Sequence, residues 1–424
     1  MPIYPGQVGL YPDSPVAYPE HPGDTGDNWI PPPPVWETPT LVEPATVQAP
    51  EWSFLIGAAT GGMTHELTRA RSRKCSFKLT EPSEVSCEVD GRHPEAAHLI
   101  ELATDLHVLR APQQGARKER LYRGRIGKSG DTFDTDTHSV TVPSLDYRAV
   151  LQRRHLLHGS QQVWTQQDQA AIAFGLIQQA QRLPGGDYGI VMGSSPTGVL
   201  RDRSYDLGDN IGERIQELSE VIDGFDWDVT STSDTGLQLD IWHPQRGVTL
   251  PGIVLEFGGA VASGSRTVDS GDYANHIRVT GSQPEGGGDG PQPEERPFPG
   301  TPWEPRPEGR WDKTYGEPIT TQPALAERAD WLLDQAQVVT PTYSLKLRRG
   351  WWRGPGHLWL GDAVTVRIRS GRLRVNTQLR VHQVDVDISD DGTEDVTLTV
   401  GGPKPDYRRR AAEIEKRLAS LERR

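Results

Sequence analysis

Cysteine is nearly missing: Cys75 and Cys87 are the only two in 424 residues, too few for a disulfide framework. They lie in "CSFKL" and "VSCEV", alternating segments that a loop near "TEPS" would set face to face across a hairpin. A disulfide is geometrically possible there; in a reducing compartment two small buried side chains are the favoured reading. No apolar run reaches membrane-spanning length. "MPIYPGQVGLYPDSP" lacks the basic start and apolar middle of a signal peptide, so synthesis and folding in a cytosol are expected. Positive charge is also short: 45 basic residues face 58 acidic ones, for a net charge of −13. That balance excludes general electrostatic attraction to DNA, RNA or an anionic membrane. Lysine supplies only eight of the basic residues, a bias read as G+C-rich coding. Hydrophobic content is low at 34%, but the deficit sits in segments rich in proline and glycine, so the remaining stretches can still bury cores.

What is present is organised by punctuation, and the length points to two or three domains. Residues 1–50 carry prolines throughout, including Pro31 to Pro34, and read as an extended arm or disordered tail. From residue 51 to about 160 come short strands such as "LHVLR", "RLYRGRI" and "HSVTVPSLDY", with turn residues between them, a barrel or sandwich signature. Residues 161–250 read as an α+β module, with two helices followed by strands at "FDWDV" and "LQLDIW". In "FDWDV", Phe225, Trp227 and Val229 share one strand face and should point into the module core. Residues 283–315 form a Pro/Gly-rich linker, flexible or extended. Residues 316–403 hold a helix, "PALAERADWLLDQA", and strands at "YSLKL", "DAVTVRI", "RVHQVDVDI" and "EDVTLTVG", a second small β domain. The fold class expected is mainly β with an α+β module.

The first helix of the module lies within "VWTQQDQAAIAFGLIQQAQ". Thr165 is placed to cap it, with Asp168 adding negative charge to the first turn. Ile172, Ala173, Leu176, Ile177 and Ala180 then form one apolar stripe, with glutamines opposite. Gly175 costs about 1 kcal/mol against alanine inside a helix, which points to close packing against a neighbour. A second helix is expected over Asn210 to Ile222, with Ile211, Ile215, Leu218 and Ile222 on one face.

Motifs that would carry chemistry are near misses. "HELTR" at His65 has Arg69 where a zinc protease needs its second histidine. "GSSPT" at Gly193 has Thr197 where a nucleophile elbow needs glycine. "DISDDG" opens like a calcium loop, but Leu398 stands at the twelfth position, so a tight turn through Asp390, Asp391 and Gly392 fits better. "EFGGAVASGS" lacks the lysine of a phosphate loop. Asp134, Asp136 and His138 could share a strand face as metal ligands, against the plainer reading of a solvated face. Trp351, Trp352 and Trp359 could stack sugars, although core or subunit-interface packing is favoured. No catalytic residue, metal ligand or cofactor is assigned, and the chain is read as a non-enzyme.

The segments run from "LHVLR" and "RLYRGRI" through "HSVTVPSLDYRAVLQRRHL", "WTQQDQAAIAFGLIQQAQ", "DGFDWDV" and "YANHIRVTG" to "LGDAVTVRI" and "VHQVDVDISDDGTEDVTLTVG". That order, covering about residues 52–402, resembles the tail hub proteins of long-tailed phages, the baseplate-hub group, with minor tail proteins of actinobacteriophages the nearest likeness. The resemblance implies a homotrimeric ring of two small β-barrel hub domains per chain. The first would be 51–160, completed by about 250–282, and the second 316–403, with 161–250 as a support module. Six similar units would meet the hexameric tail tube. It implies a virion protein at the tail tip, assembled in the host cytoplasm and contacting tail tube, tape measure and other tip proteins, with genomic DNA passing unbound. An acidic lumen suits that passage, because it repels phosphate. The N-terminal arm and the stretch Gln283 to Gly309 are longer and richer in proline than the resemblance leads one to expect. The chain ends soon after its last strand, which on this reading leaves no room for a fused hydrolase. Two alternatives stand beside the hub: a carbohydrate-binding adhesin using the Trp351 to Trp359 loop, and a cell-wall hydrolase using Asp226 and Asp228.

Residues 404–424 form a charged amphipathic helix. Ala411 and Leu418 fall at a, and Tyr407, Ile414 and Leu421 at d, of a heptad. Arg410 and Arg417 then stand at g, and Glu415 and Glu422 at e. In a parallel coiled coil Arg410 faces Glu415 and Arg417 faces Glu422 on the next chain. Leucine at a with isoleucine at d leans towards three or four strands.

Overall fold

The computed structural model describes residues 50–59, 61, 62, 64–221, 223–282, 290–297, 309–317, 321–337 and 339–401. These divide into two compact units: one draws on 25–265 and 343–401, the other on 266–342.

The larger unit opens with eight strands: β1 (Glu51–Ala58), β2 (Thr64–Glu66), β3 (Arg71–Lys78), β4 (Glu84–Asp90), β5 (Thr104–Ala111), β6 (Glu119–Ile126), β7 (Gly130–Phe133) and β8 (His138–Asp146). Strict alternation in β4 buries Val85, Cys87 and Val89, as a two-faced strand requires. The two cysteines are free and buried, and they are not direct partners. A bulge after Arg71 sets Cys75 opposite Val85, and Cys87 pairs with Val142 of β8. Burial pushes the Cys87 thiol up to about 12.

The module follows: α1 (Tyr147–Leu151), β9 (Gln162–Asp168), α2 (Gln169–Gln181), β10 (Ile190–Met192), β11 (Leu200–Tyr205), α3 (Ile211–Ser219), β12 (Asp226–Ser231) and β13 (Leu237–Trp242). Helix α2 starts later than Thr165, because residues 162–168 are drawn into an antiparallel ribbon with β11. Asp168 caps the helix instead, accepting from the Ala170 N–H at 2.9 Å. The expected stripe Ile172, Ala173, Leu176, Ile177 and Ala180 is buried. A Cβ on Gly175 would lie 3.3 Å from the Trp164 ring, so that glycine admits the indole of the neighbouring ribbon. Helix α3 is capped by Asn210, which accepts from the Glu213 N–H, and buries Ile211, Ile215 and Leu218; Ile222 lies outside the described residues. Phe225, Trp227 and Val229 join the same core.

Strands β14 (Thr249–Glu256) and β15 (Val261–Thr267) come next. The smaller unit contains β16 (His276–Thr280), β17 (Glu294–Arg296), β18 (Asp312–Gly316) and α4 (Gln322–Ala336), and its core is Ala274, Ile277, Val279, Leu325, Ala329, Leu332 and Ala336. Both β17 and β18 pair with β16 and fall within or beside the segment read as a linker.

The chain returns to the larger unit through β19 (Thr342–Leu347), β20 (Ala363–Ser370), β21 (Leu373–Ile388) and β22 (Glu394–Gly401). The two β segments expected as separate small barrels share one ladder, because Gln383–Ile388 of β21 pairs with Arg73–Lys78 of β3. The resulting 14-stranded sheet runs β15-β19-β22-β21-β3-β4-β8-β6-β5-β1-β2, with β20 branching from β21, β14 from β20 and β7 from β8. Strand β21 is a corner: its first half pairs with β20 and its second with β22 and β3, with a register shift between Val381 and Gln383. Shifts of this kind bend a strand. One apolar cluster, from Trp52 to Val400, fills the curled interior.

Candidate functional site

The module meets the sheet along a seam of ion pairs, buried at Asp146 and Arg148 and half-buried at Asp226, Asp228, Arg246 and Arg380. Strand β12 sends Trp227 and Val229 into the module core, beside Phe225 just before it, and so leaves Asp226 and Asp228 on the opposite face. There, Asp228 pairs with Arg246 at 3.0 Å and Arg148 at 3.5 Å. Asp226 pairs with Arg380 of β21 and accepts from the Arg246 N–H at 2.6 Å. The approach is close: Gly247 and Gly361, at φ +87° and +88°, touch backbone to backbone, and a Cβ on Gly247 would lie 2.2 Å from the Gly361 carbonyl carbon. Asp146 caps α1 and accepts from the Ser83 N–H at 2.7 Å and from Arg148 at 3.0 Å. Arg148 in turn donates to the carbonyls of Leu79 and Lys78 at 2.9 and 2.8 Å. The carboxylates proposed for a hydrolase are therefore held by arginines that join module to sheet.

Two further knots lie on the sheet. Asp105 of β5 accepts from Arg123 at 2.8 Å, Arg125 at 2.6 Å and the Tyr147 hydroxyl at 2.6 Å. Burial, with Asp105 next, pushes the Tyr147 hydroxyl up to about 12. At the other knot, Glu394 at the start of β22 accepts from Trp52 Nε1 at 2.7 Å, Arg110 Nε at 2.6 Å and Arg110 Nη2 at 3.1 Å. The Arg110 guanidinium lies between the Trp52 and Trp352 rings, at 5.7 and 4.7 Å from their centroids. Strands β22 and β5 are distant in the sheet order, so this contact clasps one side of the curled sheet to the other. Buried pairs of this kind cost desolvation, and losing one partner leaves an uncompensated charge. None of Asp105, Arg110, Arg123, Arg125 or Glu394 stood out in the sequence. A possible signal was charge on alternate positions of otherwise apolar strands, as in "RLYRGRI".

The sequence candidates are dispersed. Trp352 is 3% exposed and donates through Nε1 to the Leu358 carbonyl, and Trp359 stacks beside it at 6.1 Å; Trp352 is a core residue and not an open sugar platform. Asp134 closes its own turn, accepting from the N–H groups of Asp136 and Thr137 at 2.7 and 2.6 Å, whereas His138 pairs with Asp131. Among the described residues no group of three or more His, Cys, Asp or Glu side chains could hold a metal. Ser194 accepts from the Ile241 N–H at 2.6 Å and so steadies a strand. Asp391 accepts from the Thr393 N–H, with Gly392 at φ +84°, making the expected tight turn. The heptad residues Tyr407, Arg410, Ala411, Ile414, Glu415, Arg417, Leu418, Leu421 and Glu422, like the N-terminal arm, lie outside the described residues. No helix among the described residues is long and apolar enough to cross a membrane.

No protein-family model matches the sequence, and no curated protein matches it. The fold has solved counterparts. The 43 kDa tail protein of prophage MuSo2 from Shewanella oneidensis is similar at TM-score 0.55 and 14% identity, over 84% of this chain and 98% of that one. The tail protein from Neisseria meningitidis MC58 gives TM-score 0.53 at 10% identity, over 82% and 96% of the two chains. Prophage tail protein gp18 from Listeria monocytogenes EGD-e gives 0.50 at 12% identity, over 87% and 99%. At such identities the likeness concerns the fold: this mainly β chain is folded as phage tail proteins are.

Proposed function

We propose that the protein is a structural component of a phage virion, the homotrimeric tail-tip or baseplate hub that joins the hexameric tail tube to the tip. The observation that carries this reading is the near-complete overlap with tail proteins, which spans 96 to 99% of the three solved chains. The two β segments act as the two hub domains of each chain, so three chains offer six similar units to the tube. The module, riveted by Asp226, Asp228 and Asp146, buttresses that ring from outside and carries no reaction. The ring forms part of the DNA conduit, and the net charge of −13 keeps the passing genome from sticking. The partners are the distal tail and tube proteins, the tape measure protein and other tip proteins. Residues 404–424 add a parallel three-stranded coiled coil on the symmetry axis, reinforcing a trimer that the β domains already make.

The mass of the purified particle in solution, measured by light scattering after size exclusion, tests the reading. Three times the chain mass of 46.9 kDa is the expected result. A monomer that persists as concentration rises would overturn it.

A further inference from the structure

The net charge of −13 hides a local excess of the opposite sign. Between Tyr343 and Val384 nine lysines and arginines stand against one acid, Asp362. Some of these are spent: Arg380 pairs with Asp226, and Lys346 and Arg349 pair with Asp395. The remainder gathers on the hairpin of β20 and β21, whose two-residue turn is Gly371–Arg372, with Gly371 at φ +54°. Val364, Val366 and Ile368 of β20 and Val375 of β21 are buried. Alternation therefore sets Thr365, Arg367, Arg369, Arg374, Asn376 and Gln378 on the opposite face, with same-strand neighbours roughly 6.6 Å apart.

Folding alone does not call for such a face. Arg369 stands directly opposite Arg374 across the ladder, and like charges so placed destabilise a strand pair. Arg369, Arg372 and Arg374 are exposed, and no carboxylate among the described residues pairs with Arg369 or Arg372. Glu256 reaches Arg367 at 3.7 Å, with the two side chains 45% and 42% exposed, a contact worth little in water. Arg348 adds a further charge at the foot of the hairpin. It is exposed and donates to the Gly258 carbonyl, next to Phe257, whose N–H bonds the Arg367 carbonyl.

The composition of the face says what it fits. A protein partner would meet an apolar centre, and this face has none. Arginine beside threonine, asparagine and glutamine is the set that holds phosphate and sugar oxygens, and surfaces that bind DNA are polar and strongly positive. We propose that the β20–β21 hairpin lays this arginine face on the phosphate backbone of double-stranded DNA, without reading base sequence. The inference goes beyond the conduit reading, in which the genome passes unbound, and does not depend on it.

Fluorescence anisotropy of a short labelled duplex of arbitrary sequence, titrated with the full chain, tests this. Saturable binding is expected at low salt. With three or four phosphates neutralised, affinity should fall about 40- to 150-fold between about 50 and 200 mM salt. Arg369→Gln, Arg372→Gln and Arg374→Gln together should weaken binding at least about tenfold at low salt and flatten that dependence. The same loss of charge through Arg69→Gln, Arg71→Gln and Arg117→Gln, at exposed arginines outside the hairpin, should change affinity less than about threefold. No saturable binding at low salt, or an equal loss in both triple variants, would overturn the proposal. So would displacement of the labelled duplex by poly-glutamate as readily as by unlabelled duplex of equal charge, since the face would then be a site for acidic protein. The salt and competition measurements use the unaltered chain and decide the matter even if a variant fails to fold. The particle mass that tests the hub reading is independent of all of them.

Discussion

Glu394→Gln is the most informative single change, because one carboxylate closes the curled sheet on itself. Arg110 and Glu394 are 5% and 8% exposed, so neither group has bulk water to fall back on. The glutamate accepts three N–H groups, one from Trp52 and two from Arg110. Glutamine keeps a single acceptor oxygen and turns an amide NH2 towards the remaining donors. The guanidinium, caged between two indoles, then retains its charge without a counterion. Breaking a buried pair by removing one partner costs about 3 to 5 kcal/mol, a large share of the roughly 5 to 15 kcal/mol that holds an ordinary domain together. Urea denaturation followed by tryptophan fluorescence measures the loss. The control is Arg110→Met combined with Glu394→Leu, which removes both charges and should recover part of the loss, the remainder of about 1 to 3 kcal/mol being the Trp52 Nε1–H left without its acceptor. A cost below about 1 kcal/mol for Glu394→Gln alone would refute the argument, since the guanidinium would then have found water and the clasp would not be closed.

Three further outcomes are expected. Trp227→Ala should cost about 3 to 5 kcal/mol, because the indole is 4% exposed and bonds Gln216 at 3.0 Å; a loss under about 1 kcal/mol in thermal or urea unfolding would place the ring outside the core. Acid should weaken the fold between pH 6.5 and 4: His107 and His382 sit at about 4 in the folded chain against 6.5 for a free histidine, through burial and neighbouring arginines. The unfolded chain therefore takes up protons first and stability falls with pH, by up to roughly 3 kcal/mol per histidine; an identical pH slope after His107→Gln with His382→Gln would contradict this. Leu418→Cys should crosslink subunits under oxidation, and a particle proven trimeric that yields no crosslinked chains would remove the coiled coil from the proposal.

Legibility in the sequence followed the range of the interactions. The alternation that builds β4 and β22, and the apolar stripe of α2, are local patterns and were readable. "FDWDV" was readable in part: its alternation separates Trp227 from Asp226 and Asp228, but Arg380 lies 154 residues from Asp226, and nothing local marks the two as partners. The start of α2 was misread because Thr165 is a competent cap, and only pairing with β11 pulls it into a strand. The β3·β21 ladder was not readable, since strand register is fixed by partners and turns that a distant pair does not share. Trp352 was ambiguous because a loop tryptophan looks the same in sequence whether it faces solvent or fills a core.

The β3·β21 ladder also governs when the protein can become itself. Ser76 and Gln383, bonded across that ladder, are 307 residues apart in the chain. At a synthesis rate of about 5 to 20 residues per second, β3 leaves the ribosome roughly 15 to 60 s before its partner exists. During that interval its edge displays unpaired amides and carbonyls beside the apolar Phe77, the kind of surface on which strands of other chains nucleate. Neighbouring nascent copies on one message would be the nearest strands available. The yield of correctly folded subunits should therefore depend on expression temperature and chaperone supply more steeply than the stability of the finished sheet would suggest.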